Sequence, residues 1–164
     1  MFVDIFQRVL NQIAYYIPGG YNIRPGLHRL RGAHIGKKVW ISKYVYIDEL
    51  HPNAVTIGDN SNIGLRTSIF THFYWGPKRT LEHAGKVHIE ENVFIGPHCV
   101  ILPNVRIGKG SVIQAGTVVS RNVPQGILLG PPKPEPIARV TIPLTHEHLY
   151  KEFINGLRPF RNIS

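Results

Sequence analysis

The sequence predicts a β-solenoid, an all-β stack of short strands, closed at one end by an N-terminal amphipathic helix and followed by a short C-terminal helix. Three observations carry this. Isoleucine recurs at every sixth position: Ile35, Ile41, Ile47 form one register, Ile57, Ile63, Ile69 a second, and Ile89, Ile95, Ile101, Ile107, Ile113 a third that Val119 completes. A small or β-branched residue stands four positions after most slots, as Val39, Val45, Ser61, Thr67, Val93, Cys99, Val105, Ser111 and Thr117. A sustained period of six, with Gly and Asn between, matches neither the 3.6 residues of a helix nor the two of a single strand. It fits strands joined by tight turns, three to a coil, each coil burying its face on the next.

The elements follow in chain order. Phe2, Ile5, Phe6, Val9, Leu10, Ile13 and Tyr16 lie three and four apart, so residues 1–20 form an amphipathic helix stopped by Pro18-Gly19-Gly20. It either caps the open end of the solenoid or meets a membrane surface or partner. Residues 21–140 form the solenoid. The register breaks between Ile47 and Ile57, and again between Ile69 and Ile89, where an aromatic and basic loop over 70–86 leaves the stack. Such breaks are where function concentrates. Residues 141–164 hold a second helix over 145–157, opened by Thr145 as N-cap, and a tail.

Composition narrows the function classes. With 164 residues the chain buries one core. A single cysteine, Cys99, forms no internal disulfide and reads as a small core residue, which with no leader segment points to a reducing cytoplasm. No apolar run approaches the ~20 residues of a membrane span. A net charge of +9 favours polyanionic partners. The cations are scattered and accompany no nucleic-acid motif, so nucleic acid is not the expected partner.

The runs Ile57-Gly58-Asp59-Asn60, Val93-Phe94-Ile95-Gly96 and Ile107-Gly108-Lys109-Gly110-Ser111-Val112-Ile113-Gln114-Ala115-Gly116-Thr117 resemble those of the hexapeptide-repeat acyltransferases, nearest to the maltose and galactoside O-acetyltransferase type. The resemblance implies a left-handed parallel β-helix, a homotrimer with active sites between neighbouring coils, and transfer of an acetyl group from acetyl-CoA to a saccharide hydroxyl by direct attack. N-acetylation of an amino-sugar nucleotide is the alternative within the same chemistry, and a catalytically inactive scaffold the alternative outside it. No metal is expected.

The resemblance also nominates residues. His72, three after slot Ile69 where the long loop departs, matches the family's catalytic histidine and is the expected general base. Glu82, in the same loop, is the expected acid orienting its ring. Asp48 in the first insertion, with Tyr74, Trp75 and Phe94, is assigned to acceptor binding; the loop aromatics either stack on a sugar ring or pack the loop down. Gly96, Ala115, Thr117, Ser120, Arg121 and Lys133 match the coenzyme-binding stretches, with a solvated basic edge as the other reading of Arg121 and Lys133. Three departures stand out. Phe73 replaces the proline after the histidine, no asparagine occupies the place of the family's acceptor asparagine, and Pro97 replaces a residue whose N–H stabilises the oxyanion. Either His98 or the Gly96 amide substitutes as donor, or the oxyanion is held elsewhere, or catalysis is weak.

Overall fold

A computed structural model describes residues 2–72 and 85–160 of the chain. Two helices, α1 (Phe2–Tyr16) and α2 (Ile23–Leu30), precede a left-handed parallel β-helix with three faces. The first face stacks β1 (His34–Ile35), β4 (Val55–Ile57), β7 (Val87–Ile89) and β10 (Val105–Ile107). The second stacks β2 (Trp40–Ile41), β5 (Asn62–Ile63), β8 (Phe94–Ile95), β11 (Val112–Ile113) and β13 (Leu128–Leu129). The third stacks β3 (Tyr46–Ile47), β6 (Ser68–Ile69), β9 (Val100–Ile101) and β12 (Val118–Val119). Every pair within these sheets is parallel and in slot register, for example Ile47 beside Ile69 and Ile69 beside Ile101.

The isoleucine ladders form the core, and Val39, Val45, Ser61, Thr67, Val93, Cys99, Val105, Ser111 and Thr117, each four residues after a slot, are buried as expected. Where that position carries a hydroxyl, it is satisfied inside the stack: Ser61 Oγ donates to Glu90 O and accepts from Val93 N–H, and Thr67 Oγ1 donates to Gly96 O. The third residue after a slot turns the corner in the left-handed region, at Lys38, Tyr44, Asn60, Arg66, Asn92, His98 and Asn104. Glycine after the slot serves close stacking. A Cβ on Gly64 would lie 2.5 Å from the Gly96 carbonyl carbon and 2.6 Å from Pro97 N, both backbone atoms. Gly64→Ala is therefore expected to lower the unfolding free energy by about 1–3 kcal/mol, read as a lower urea midpoint at constant slope.

The α2 helix lies within residues that the periodicity gave to the solenoid. Its sequence, with Pro25 and Gly26, is a poor helix by propensity. Pro25 is tolerated in the first turn, where its missing N–H has no helical acceptor, and tertiary contacts hold the rest. Those contacts answer a problem built into any open stack. In each coil the N–H after a slot donates to the slot carbonyl of the next coil, as Gly36 to Ile57, Ser42 to Ile63 and Asp48 to Ile69. The slot carbonyls of the first coil have no earlier coil to receive from. Three arginines of this segment supply the donors, one to each face: Arg29 Nε to Ile35 O at 2.8 Å, Arg24 Nε to Ile41 O at 2.6 Å and an Arg31 Nη to Ile47 O at 3.1 Å. The exposed sheet end is thereby covered by cations.

α1 buries Leu10, Asn11 and Ala14 and leaves Ile5, Phe6, Val9, Ile13 and Tyr16 exposed. Among the described residues, no helix is long and apolar enough to cross a membrane. The first compact unit ends at Pro131, before the boundary expected at 140. Residues 132–164 form a separate unit, with β14 (Ala138–Val140) antiparallel to β15 (Leu157–Pro159) and α3 (Tyr150–Asn155) between them in sequence. The helix occupies only part of the 145–157 range read from the sequence.

Candidate active site

The corner after the third face is crossed after Ile47, Ile69, Ile101 and Val119. Only after Ile101 does the chain take the left-handed corner, at Asn104. After Ile47 and Ile69 the two insertions leave, and because these slots are register partners the insertions depart side by side. Asp48 and His72 meet there: His72 Nδ1 lies 2.7 Å from Asp48 Oδ2.

The pair is well held. The Asp48 side chain is 0% exposed and that of His72 is 16% exposed. Asp48 Oδ2 also accepts the Thr71 N–H at 2.8 Å, while Oδ1 accepts the N–H of Leu50 at 2.9 Å and of His51 at 3.3 Å. Burial pushes this carboxyl up, yet the Thr71 and Leu50 amides and the charge of His72 together hold it below the ordinary carboxylate range. An ionised carboxylate only accepts, so Nδ1 carries the proton and the lone pair of the neutral ring belongs to Nε2. The ring of His51 stands nearly perpendicular to that of His72, with centroids 6.2 Å apart.

A cleft of about 500 Å³ opens between α1 and the third face, and Glu49, next to Asp48 in the chain, is among its lining residues. Tyr46 and Phe70, each two residues before a member of the pair, contribute aromatic rings 5.4 Å apart. Ser68, Glu49 and the buried Asn11 add polar groups; Asn11 Nδ2 donates to Glu49 Oε1 at 3.1 Å. Asn11 Oδ1 is buried with no protein partner. Sequence reasoning missed Asn11 and Tyr46, which reach the site only through helix packing and coil register.

The other nominated residues divide. Asp48, expected to bind an acceptor, instead turns its carboxylate inward onto His72 and three amides. Tyr74, Trp75 and Glu82 lie outside the described residues. Phe94 is 48% exposed on the second face, between Asn62 and Val112, away from the corner that holds Asp48 and His72. The Gly96 amide, one of the expected donors, is engaged, since its N–H donates to Ile113 O at 2.8 Å, and the His98 N–H donates to Leu65 O at 2.8 Å. His98 is an exposed corner residue. Thr117 is buried with its hydroxyl donating to Gln114 O at 2.7 Å. Ala115, Ser120 and Arg121 are exposed, and Lys133 belongs to the second unit. No cluster of three His, Cys, Asp or Glu suited to a metal occurs among the described residues.

Residues 86–121 match the family model of the bacterial transferase hexapeptide (six repeats), and residues 54–71 that of the hexapeptide repeat of succinyl-transferase. YvoF of Bacillus subtilis (strain 168), which carries an acetyltransferase name, is 36% identical over 124 residues, 74% of this chain and 69% of YvoF. The galactoside O-acetyltransferase of Lactococcus lactis subsp. lactis (strain IL1403) is 47% identical over 51 residues, 31% of this chain and 25% of that protein. Among solved structures, the hexapeptide-repeat acetyltransferase VCA0836 of Vibrio cholerae O1 biovar eltor, complexed with acetyl coenzyme A, aligns with a TM-score of 0.61 at 23% identity. That alignment covers 79% of this chain and 82% of the other. A galactoside acetyltransferase in complex with coenzyme A aligns with a TM-score of 0.54 at 22% identity, over 79% of this chain and 76% of that one. At these identities the solved structures share the fold.

Proposed function

Because the chain belongs to the hexapeptide-repeat acetyltransferases, we propose that it moves an acetyl group from acetyl-CoA to a saccharide hydroxyl, with His72 as general base and Asp48 as the carboxylate that orients it. The observation that carries this reading is the buried Asp48–His72 contact at the corner where both insertions leave. His72 Nε2 takes the hydroxyl proton as the oxygen attacks the thioester carbonyl. The tetrahedral intermediate collapses by breaking the carbon–sulfur bond, and the imidazolium returns its proton to the leaving thiolate. Asp48 keeps Nδ1 protonated throughout and stabilises the transient cation. No covalent enzyme intermediate is required.

The acceptor lies in the cleft between α1 and the third face. The rings of Tyr46 and Phe70 offer apolar surface to a sugar face, while Ser68, Glu49 and Asn11 Oδ1 offer partners to its hydroxyls. Ala115, Ser120 and Arg121 form the edge for the coenzyme arm and phosphates. Phe94 lies on a different face from His72, so within one copy it does not line this corner. In a homotrimer the apolar row Phe94, Val112 and Leu128 packs on a neighbour.

The test is acetyl-CoA turnover followed by free-thiol release, with mono- and oligosaccharides and amino sugars as acceptors, for the wild type and His72→Ala. Acceptor-dependent thiol release that falls about 100- to 10,000-fold in the variant is expected. Calorimetry with acetyl-CoA accompanies it, with unchanged affinity expected for the variant. Pro97 and the engaged Gly96 and His98 amides favour the inactive-scaffold reading, which predicts no turnover and no effect of His72→Ala. That result, or an absence of acetyl-CoA binding, overturns the proposal.

A further inference from the structure

Arg31 is 2% exposed, and its guanidinium has unusual partners for a buried cation. One Nη donates to Ile47 O at 3.1 Å and to Asp48 O at 2.8 Å; the other lies 2.9 Å from His28 Nδ1. Arginine only donates, so His28 accepts and carries its proton on Nε2. Capping the open end of the stack explains the bond to Ile47 O, since Arg24 and Arg29 do the same at Ile41 and Ile35. Arg29 makes the matching second bond, from an Nη to Gly36 O, the carbonyl after its slot. At Arg31 the carbonyl after the slot belongs to Asp48, so the cap there also grips the main chain of the residue whose carboxylate holds His72.

Asp48 is the first residue beyond the ladder, where the chain leaves the coil and regular sheet bonding stops. Its N–H is fixed by Ile69 O. Arg31 fixes its carbonyl, so both sides of the Asp48 peptide frame are held while the carboxylate points at His72. Resting on the proposed function, we propose that Arg31, held by His28, is a positioning residue for the reaction: it fixes the Asp48 backbone so that the carboxylate meets His72 Nδ1.

The comparison that tests this sets Arg31→Met and Arg31→Lys against Arg24→Met and Arg29→Met, which break the same cap at carbonyls remote from Asp48. At a temperature where each variant is folded by near-ultraviolet circular dichroism, Arg31→Met is expected to lower kcat about 10- to 100-fold with little change in KM for acetyl-CoA. Arg31→Lys, which keeps a cation, recovers part of that loss and serves alone if Arg31→Met does not fold. Arg24→Met and Arg29→Met lose thermal stability but keep kcat within about twofold of wild type. Equal kcat losses in all three positions, or wild-type kcat in the folded Arg31 variants, would overturn the proposal.

A second readout separates this idea from the reaction itself. In proton NMR, the low-field Nδ1–H signal of His72, assigned by its loss in His72→Ala, is expected in the wild type and Arg24→Met and broadened by exchange in the Arg31 variant. If the protein shows no acetyl transfer, the functional reading fails while this signal still decides the positioning role. An unchanged signal in the Arg31 variant counts against Arg31 whatever the activity.

Discussion

Asp48→Asn is expected to lower turnover about 100- to 10,000-fold, while KM for acetyl-CoA stays close to that of the wild type. The carboxylate is buried and accepts three amide hydrogens besides facing His72 Nδ1. An asparagine fits the same space but replaces one oxygen with a donor. If that NH₂ turns toward His72, it pairs with an Nδ1 lone pair and leaves the proton on Nε2, the wrong tautomer for a base. If it turns toward the amides, it meets their N–H groups head on. Either orientation also removes the negative charge that stabilises the imidazolium. Steady-state kinetics of the folded variant checks this, and turnover within about threefold of wild type would sink the assignment of Asp48.

The second large effect is on stability against acid. His28 is fully buried, and burial first, with the neighbouring Arg31 and Arg24 cations, pulls its pKa down to about 3. In the unfolded chain it titrates near 6.5. Between these values the unfolded state binds a proton that the folded state refuses. The stability associated with a neutral His28 is thus fully present above about pH 6.5 and is lost as the pH falls toward 3. The slope is about 1.4 kcal/mol per pH unit. Against a total margin of roughly 5–15 kcal/mol, that loss is a sizeable contribution to the acid limit of the fold, alongside the depressed carboxyl of Asp48. Urea unfolding from pH 7.5 to 4 in the wild type and His28→Leu measures it. The variant is expected to show a slope shallower by about 1.4 kcal/mol per pH unit, and parallel curves would refute the role of His28.

The solenoid was legible because every slot serves the same geometry: a residue that must face the axis every sixth position leaves a mark that no loop erases. His72 was nominated through its place at the exit of the long insertion, and its contact with Asp48 was not foreseen. Glu82, the acid nominated from the chain, lies outside the described residues; a parallel stack brings together residues one coil apart, and Asp48 is the acid that the Ile47–Ile69 register sets beside His72. The pairing was implicit in the slots once the two insertions were seen to leave the same corner. The α2 helix was hidden for another reason, since Pro25 and Gly26 argue against a helix and its arginines matter only through carbonyls made available by the fold.

Those arginines also bear on how the molecule meets copies of itself. A stack of near-identical coils has no intrinsic length, and an unfinished rim of carbonyls would template end-on growth by any strand able to donate to it. With a guanidinium on each side of the triangle, a second molecule approaching tip to tip meets like charge and occupied acceptors. The N-terminal rim therefore terminates lengthwise growth into fibres.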